Sequence, residues 1–251
     1  MKKILVLGGT TEARQLAGKL AARADVTLSL AGRTENPVQQ GVPVRVGGFG
    51  GAEGLAAYLT DNRTDLLVDA THPYAARISA NAANAARLAG VPAIALRRPP
   101  WTQVAGDRWT IVGSAAEAAA LLGAAPRKIF LALGRQELAP FEAAPEHSYL
   151  VRSVDPVEPP LGLPHAAYIL ARGPFSEAGD RALLEEHRID AIVAKNSGGP
   201  ATYGKIAAAR KLGIEVFLIR RPPLPDMPSG ASVEEVLAAA DHVLGAEKRG
   251  V

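Results

Sequence analysis

The sequence contains no cysteine, and it has only two methionines and two tryptophans among its 251 residues. The absence of cysteine excludes disulfide bonds, thiolate metal ligands and cysteine nucleophiles, and it is typical of the reducing cytoplasm. No apolar run is long enough to cross a membrane, and the run Ile4–Leu7 is too short for the core of a signal peptide. We therefore expect a cytoplasmic protein with no membrane partner.

Several catalytic signatures are also missing. The sequence has no HExxH, no Gly-x-Ser-x-Gly, no P-loop and no Tyr-x-x-x-Lys pair, and its five histidines lack metal-ligand spacing. These absences disfavour serine hydrolase, NTPase and short-chain dehydrogenase chemistry, and no metal site is expected. The formal net charge of +3 is too small to indicate a nucleic-acid partner.

What the sequence does contain is an alternation of short apolar runs and helical patterns. Hydrophobic residues make up 48% of the chain and charged residues 21%, so a large core can form. Short apolar runs that end in glycine or polar residues and lead into helices are typical of buried parallel strands. The pattern therefore predicts the α/β class, with parallel sheets of the Rossmann-like kind.

An internal repeat divides this pattern into two halves. Residues 85–100 and 208–223 are identical at eight of sixteen positions, and both segments end in Arg-Arg-Pro-Pro. Two similar helix–strand units could share short elements by chance, but the common ending favours a true repeat. We therefore predict two Rossmann-like domains, residues 1–110 and 111–251, with the boundary near 106–113 and a ligand cleft between the domains.

The segment after the first apolar run resembles the dinucleotide fingerprint G-x-G-x-x-G/A. Gly8 and Ala13 match its first and third positions, and Thr10 stands in place of the second glycine. Thr10 and Thr11 can cap the following helix and present hydroxyl and amide groups to a phosphate. The same pattern also fits a strand–glycine–helix connection that binds nothing.

Arg33 lies 20 residues after Ala13, at the end of the second predicted strand. NAD-binding units carry an acidic residue there for the ribose 2′-hydroxyl, whereas an arginine accommodates the 2′-phosphate of NADP. A dinucleotide bound here should therefore be NADPH, unless Arg33 is simply a solvated arginine in a loop.

Two further loops follow strands at equivalent points of the repeat. Residues 71–74 follow the strand ending at Asp69, and residues 195–199 follow the matching strand of the second half. Ligands bind beyond the carboxyl ends of parallel strands. His72 could therefore donate or relay a proton, and Lys195 could bind a carboxylate or supply a proton. Alternatively, His72 caps a helix or packs on Pro73, and the Lys195 side chain extends to solvent.

Paired arginines follow two predicted strands. Arg97 and Arg98 stand at the end of the first repeat, and Arg220 and Arg221 stand at the end of the second. Arginine suits bidentate binding of carboxylates, so these side chains could edge a cleft for a polycarboxylate; equally, they could be solvated strand ends.

Six motifs occur in a fixed order along almost the whole chain: GGTTEA (8–13), SLAGRT (29–34), DATHPYA (69–75), LALGRQE (131–137), ARGPFS (171–176) and KNSGG (195–199). In combination they resemble the precorrin-6A reductase family of cobalamin biosynthesis. The resemblance implies a two-domain reductase that uses NADPH to reduce one macrocycle double bond, giving precorrin-6B. The motifs do not separate this activity from that of the cobalt-precorrin-6A reductases.

With this resemblance the expected site residues form three groups. Those expected to bind NADPH are Gly8, Gly9, Thr10, Thr11, Arg33, Thr34, Thr71, Gly134 and Arg135. Those expected to bind the tetrapyrrole polycarboxylate are Tyr74, Arg172, Asn196, Ser197 and Gly198. The expected catalytic residues are Lys195 and His72.

Two other functions stay open from the residues. One is a non-catalytic NADP-binding sensor, which would need the first domain only. The other is an NADPH-dependent reductase of a different small acid. For the reductase we expect a monomer or a weak homodimer.

Overall fold

The structure is a computed structural model, and it describes residues 1–32 and 41–246. The chain forms two compact units. The first comprises Met1–Pro99 and the described residues from Pro222 onward, and the second comprises Pro100–Arg221.

Strands and helices alternate along the first part of the first unit. Their bounds are β1 (Lys3–Leu7), α1 (Thr11–Leu20), β2 (Asp25–Leu30), β3 (Val44–Val46), α2 (Gly51–Asp61), β4 (Leu66–Asp69), α3 (Ala76–Ala89) and β5 (Ala93–Leu96). Every pairing among these strands is parallel, and β1 lies between β2 and β4.

The first strand shows why its sequence is a continuous apolar run. Ile4 and Val6 pack in the core that includes α1, whereas Leu5 and Leu7 pack in the core that includes α2 and α3. Successive side chains of a strand point to opposite faces of the sheet, and both faces of this sheet are covered by helices. Alternation with polar residues would therefore bury a polar group against one of the two layers.

The second unit repeats this plan. Its elements are β6 (Trp109–Val112), α4 (Ala115–Leu121), β7 (Lys128–Ala132), two 3₁₀ helices (Arg135–Glu137 and Ala139–Ala143), β8 (Ser148–Ser153), β9 (Ala166–Leu170), α5 (Glu177–Glu186), β10 (Ala191–Lys195), α6 (Gly204–Leu212) and β11 (Glu215–Ile219). All strand pairings in this sheet are parallel as well.

After β11 the chain returns to the first unit with β12 (Ser229–Gly230) and α7 (Val233–Ala246). β12 pairs with β5, and α7 packs against α1 and β5. The strand order is therefore β3-β2-β1-β4-β5-β12 in the first sheet and β9-β8-β7-β10-β11-β6 in the second. Both sheets have the Rossmann order 3-2-1-4-5-6. The predicted fold class, two Rossmann-like units with parallel sheets, is confirmed.

The division of the chain differs from the expected domains, residues 1–110 and 111–251. The second unit begins at Pro100, so the expected boundary cuts through β6, and the described residues from Pro222 belong with the first unit. The physical reason is that β12, the sixth strand of the first sheet, comes from the second half of the chain, whereas β6, the sixth strand of the second sheet, precedes the other strands of its unit. Both of these strands are short edge strands, which leave a weak pattern in the sequence.

The internal repeat corresponds to equivalent elements of the two sheets. Its first copy covers the end of α3 and all of β5, and its second copy covers the end of α6 and all of β11. In both copies the glycine that ends the helix, Gly90 or Gly213, adopts the left-handed conformation. The loops after β4 and β10 are therefore equivalent, as predicted. No helix in the described part of the chain is long and apolar enough to span a membrane.

Candidate functional site

The first candidate site lies where β1 ends and α1 begins. A Cβ at Gly8 would stand 2.6 Å from Leu28 Cδ1, so the buried Leu28 side chain would have to move to admit one. Gly9 has a φ of +114°, a conformation that residues with side chains rarely adopt. The main chain is therefore accessible at the N-terminus of α1, whose first amide groups have no partner inside the helix. This turn fits a phosphate group.

Thr10 joins this turn to the neighbouring strand. Its Oγ1 accepts a hydrogen bond from Ala13 N at 3.0 Å and donates one to Ala70 O at 3.1 Å. The second bond spans the gap between β1 and β4, where the strand order reverses and ligands usually bind. The capping role of Thr10 is confirmed. Thr11 is exposed on the first turn of α1, and contact of either threonine with a cofactor stays a prediction.

The residues expected to select the cofactor, Arg33 and Thr34, lie outside the described residues. The strand that leads to them, β2, pairs in parallel with β1 and ends at the same edge of the sheet. Selection of NADPH by Arg33 therefore stays a prediction.

The loop after β4 is fixed by a buried carboxylate. Asp69 Oδ1 accepts hydrogen bonds from Thr71 N at 3.1 Å and Thr71 Oγ1 at 2.6 Å, and Asp69 Oδ2 accepts one from Arg97 at 2.7 Å. Burial by itself raises the pKa of Asp69. The charge of Arg97 and hydrogen bonds from Ser79, Thr71 and Arg97 outweigh this effect and keep the pKa below its ordinary value of 3.8. The Thr71 hydroxyl thus holds the loop, and its contact with the cofactor stays a prediction.

His72 and Tyr74 lie together on this loop. His72 Nδ1 accepts a hydrogen bond from Tyr74 N at 3.3 Å, and the two ring centroids are 5.5 Å apart. Because Nδ1 accepts, the proton of a neutral ring is on Nε2. Ala75 is the N-cap of α3 and its own side chain makes no cap hydrogen bond, whereas His72 bonds the amide of the residue just before it. The roles of His72 in catalysis and of Tyr74 in substrate binding stay predictions.

The second candidate site lies between β7 and β10, where the order of the second sheet reverses. Lys195, the last residue of β10, forms an ion pair with Glu137 from the 3₁₀ helix after β7; their side chains are 18% and 32% exposed. Gly134 N donates to Glu137 Oε2 at 3.2 Å and so helps to orient that carboxylate. Lys195 therefore stands where ligands of such sheets bind. Arg135 is exposed beside it.

The loop after β10 is held by Trp101. Trp101 N donates to Asn196 Oδ1 at 2.7 Å, Asn196 Nδ2 donates to Trp101 O at 2.9 Å, and Trp101 Nε1 donates to Gly199 O at 2.8 Å. The side-chain amide of Asn196 thus holds the loop, and substrate contacts of Asn196, Ser197 and Gly198 stay predictions. Arg172 lies further from Lys195 along the sheet, because Arg172 follows β9 and two strands, β7 and β8, lie between β9 and β10.

The contacts of the paired arginines differ from the expected role, which was to edge a cleft for substrate carboxylates. Arg97 bonds the buried carboxylate described above, and Arg98 pairs with Glu12 at 2.9 Å in a largely buried contact. Arg221 donates to two main-chain carbonyls of the loop after β10, at 2.8 and 2.9 Å. Only Arg220 is exposed among the four. Three of these arginines therefore stabilise the loops and strand ends of their own unit.

Known proteins of one family are similar to this chain. A family model described as "Precorrin-6x reductase CbiJ/CobK" matches residues 3–241. A precorrin-6A reductase from Sinorhizobium sp. is 59% identical over 96% of this chain and 94% of that protein. One from Rhodobacter capsulatus is 51% identical over the whole length of both. A solved structure, "CobK precorrin-6A reductase", superimposes with a TM-score of 0.93 at 50% identity and covers both chains completely.

The chain belongs to the precorrin-6x reductase family. The resemblance carried by the six motifs is thereby confirmed. As a member of this family the protein is an NAD(P)H-dependent oxidoreductase of cobalamin biosynthesis, and reduction requires a nicotinamide cofactor. Among its relatives, the cobalt-precorrin-6A reductase of Priestia megaterium is 30% identical over 94% of this chain and 97% of that protein.

Sequence reasoning missed three residues of the candidate sites. Asp69 was visible as a charge that ends an apolar strand, but its partner Arg97 lies 28 residues further on. Glu137 was present within one of the family motifs, without any signal of its pairing with Lys195. Trp101 carried no signal, because its partners Asn196 and Gly199 lie 95 and 98 positions further along the chain.

Some expectations lie outside this geometry. Within residues 1–32 and 41–246, no three or more histidine, aspartate or glutamate side chains are grouped to hold a metal ion. The cleft between the domains, a monomer or weak homodimer, and the absence of a nucleic-acid partner stay predictions.

Proposed function

We propose that this protein reduces precorrin-6A to precorrin-6B with NADPH as the hydride donor. The observation that carries the proposal is the position of Lys195. It is held by Glu137 at the reversal point of the second sheet, in a chain that matches the reductase family from residue 3 to 241. A hydride and a proton add across one double bond of the macrocycle, so the enzyme must orient two ligands and exclude water.

The relatives favour the metal-free macrocycle as substrate. Proteins named precorrin-6A reductase are 59% and 51% identical to this chain, whereas those named cobalt-precorrin-6A reductase are 30% and 31% identical. An enzyme of the cobalt-dependent route would be expected to resemble the second group more closely. The proposed substrate is therefore precorrin-6A without cobalt.

The first unit has the features that an NADPH site needs. The turn at Gly8 and Gly9 exposes main chain at the N-terminus of α1, where the helix dipole favours the pyrophosphate. Arg33, and Thr34 beside it, would bind the 2′-phosphate at the end of β2. The bound cofactor supplies the hydride, and the remaining task of the chain is to place the macrocycle and a proton.

Lys195 is the residue best placed for that task in the second unit. Its ammonium can hold a carboxylate of the macrocycle or donate the proton, and Glu137 fixes its orientation. Asn196, Ser197 and Gly198 would line the same subsite, Arg172 would bind a more distant carboxylate, and His72 is a second proton relay.

The deciding experiment uses purified protein, NADPH and precorrin-6A, with cobalt-precorrin-6A in parallel. NADPH oxidation should match the change in the macrocycle chromophore one for one, and the metal-free substrate should be preferred. Lys195→Ala should lower kcat at most about 10²–10⁴-fold if Lys195 is the general acid. No macrocycle reduction by the wild type would overturn the proposal.

The cofactor is tested separately by binding titrations. Arg33→Ala should weaken NADPH binding by about 1.5–3 kcal/mol and leave NADH nearly unchanged. Arg23→Ala is the matched control, because Arg23 lies beyond the C-terminal end of α1 and forms an exposed ion pair with Asp241. Gly9→Val should abolish binding of both cofactors. Equal wild-type affinity for NADPH and NADH would contradict the role of Arg33.

A reductase is favoured over a non-catalytic NADP sensor for two reasons. The relatives named above are all reductases, and a sensor built on the first unit would have no use for the paired Lys195 and Glu137. A cytoplasmic location belongs to the proposal as well, because the reaction needs a pool of reduced cofactor.

A further inference from the structure

Trp101 makes an unusual set of contacts for a residue in a connecting segment. Its main-chain N–H and C=O both bond the side chain of Asn196, and its indole N–H bonds the carbonyl of Gly199. One residue therefore ties the beginning of the loop after β10 to its end. These hydrogen bonds fix the main chain that follows directly from Lys195.

The Trp101 indole also contacts Lys205 and Tyr203. Lys205 Nζ lies 5.0 Å from the centroid of the Trp101 ring, within the range of a cation–π interaction, and donates to Thr202 O at 2.7 Å. The Tyr203 ring packs against the same indole, with centroids 5.6 Å apart. Lys205 is only 4% exposed, so its ammonium contacts protein almost exclusively.

The surroundings of Lys205 are charged and buried. Arg152 bonds Asp180 Oδ1 at 2.5 Å, and its guanidinium stacks 3.7 Å from the centroid of the Phe175 ring. The other carboxylate oxygen of Asp180 is buried and has no hydrogen-bond partner among the residues that the structure describes. Burying charged groups costs free energy of desolvation, and apolar side chains of similar size would fill a hydrophobic core without that cost. Lys205, on which the charges of Arg152 and Asp180 act, is the member of this group that contacts the Trp101 ring.

We propose that Trp101 is a positioning residue of the reductase, which together with Lys205 holds the loop at residues 195–199 in its working geometry. Trp101 acts through Asn196 and Gly199 and does not itself touch the reacting atoms. This inference rests on the proposed function, because the loop matters for catalysis only if Lys195 meets the macrocycle. A displacement of about 1 Å in a positioned group can cost a large factor in rate.

The test compares two tryptophan-to-phenylalanine variants of the complete chain. Trp101→Phe removes the indole N–H that bonds Gly199 and leaves an aromatic ring above Lys205. Trp109→Phe is the matched control, because the indole nitrogen of Trp109 is buried in the same unit and has no hydrogen-bond partner within residues 1–32 and 41–246. Loss of one buried hydrogen bond should reduce kcat for precorrin-6A up to about tenfold in Trp101→Phe alone. The dissociation constant of NADPH should be the same in both variants.

A second pair of variants covers the case in which Trp101→Phe does not fold. Lys205→Met removes the ammonium but keeps an unbranched side chain, and Lys205→Arg restores a cation. We expect kcat to fall in Lys205→Met and to recover partly in Lys205→Arg, again with unchanged NADPH binding.

The outcomes separate the two proposals. An active wild type with equal kcat in Trp101→Phe and Trp109→Phe overturns the positioning role and leaves the proposed function intact. Parallel loss of kcat, NADPH binding and thermal stability in Trp101→Phe also overturns it, because that pattern indicates a merely structural residue. A folded wild type that binds NADPH but leaves precorrin-6A unchanged overturns the proposed function, and this inference with it.

Discussion

The ion pair between Asp69 and Arg97 gives the sharpest prediction about stability. Asp69→Asn preserves the size of the side chain and one oxygen that can accept hydrogen bonds from Thr71, but it removes the charge and replaces the oxygen that accepts from Arg97 by an NH2 group. It leaves the guanidinium of Arg97 beside a neutral group. Removing one partner of a buried ion pair costs about 3–5 kcal/mol. Because 18% of the Arg97 side chain is exposed and water can reach it, we expect a loss near the lower end, about 3 kcal/mol.

The effect should depend on pH in a defined direction. The pKa of Asp69 is lower in the folded protein than its ordinary value of 3.8, so ionised Asp69 contributes stability above that pH. This contribution is lost as the pH falls through the folded-state pKa. The difference between wild type and Asp69→Asn should therefore be constant near neutral pH and shrink below pH 3.8.

Urea unfolding measures the free energy, and hydrogen exchange of the amides in β1 and β4 assigns the loss to the first unit. Asp241→Asn is the matched control. Asp241 pairs with Arg23, but their side chains are 50% and 44% exposed, so the loss should stay below about 1 kcal/mol. If Asp69→Asn were no more destabilising than Asp241→Asn, the reasoning from burial would be refuted.

Three further predictions concern single positions. Gly54→Ala should destabilise the protein by about 3 kcal/mol or more, because the added Cβ would stand 1.7 Å from Phe49 O. Gly18→Ala, where an added Cβ would meet nothing within 4 Å, should stabilise α1 by about 0.5–1 kcal/mol, and urea unfolding compares the two variants. Thr10→Ala should cost about 1–2 kcal/mol through loss of its two hydrogen bonds, whereas Thr10→Ser should retain most of the stability in the same assay. Burial and the charge of Arg152 lower the pKa of Lys205 to about 7, although the charge of Asp180 acts in the opposite direction. Between pH 7 and the ordinary pKa of 10.5, the folded protein therefore binds fewer protons than the unfolded chain. The stability of Lys205→Met relative to wild type should therefore decrease as the pH rises above 7, and unfolding curves that keep a constant difference across pH 7 would contradict the burial of this charge.

The sequence predicts most of the fold because its strands are buried on both faces. A run such as Ile4–Leu7 has to be apolar throughout, and the glycine at Gly8 marks its end. The internal repeat then identifies the fourth and fifth strands of each sheet. The edge strands β6 and β12 escape prediction for the opposite reason, since residues such as Ile111 are exposed and carry no continuous apolar signal.

The candidate site is predictable in its loops but not in its contacts. The pattern of apolar runs correctly places Lys195 and the turn at Gly9 at the carboxyl ends of strands, and ligand binding there stays a prediction. It does not show that Glu137 pairs with Lys195, because that pairing depends on two strands which are neighbours in the sheet but distant in sequence. The same limitation applies to Trp101, whose partner Asn196 lies 95 positions away.

The repeated Arg-Arg-Pro-Pro sequence acquires a common explanation from these contacts. In the first unit, Arg97 follows the fifth strand and bonds Asp69 at the end of the fourth strand. In the second unit, Arg221 follows the fifth strand and bonds carbonyl oxygens just after the fourth strand. Neighbouring parallel strands end at the same edge of a sheet, so an arginine after one strand can reach the loop after the next. The prolines then direct the chain away from the sheet, because proline cannot donate to a further ladder hydrogen bond. In each unit this short sequence therefore ends the fifth strand and supplies one arginine that holds the end of the fourth strand or the loop after it: the first arginine of the repeat in the first unit and the second arginine in the second.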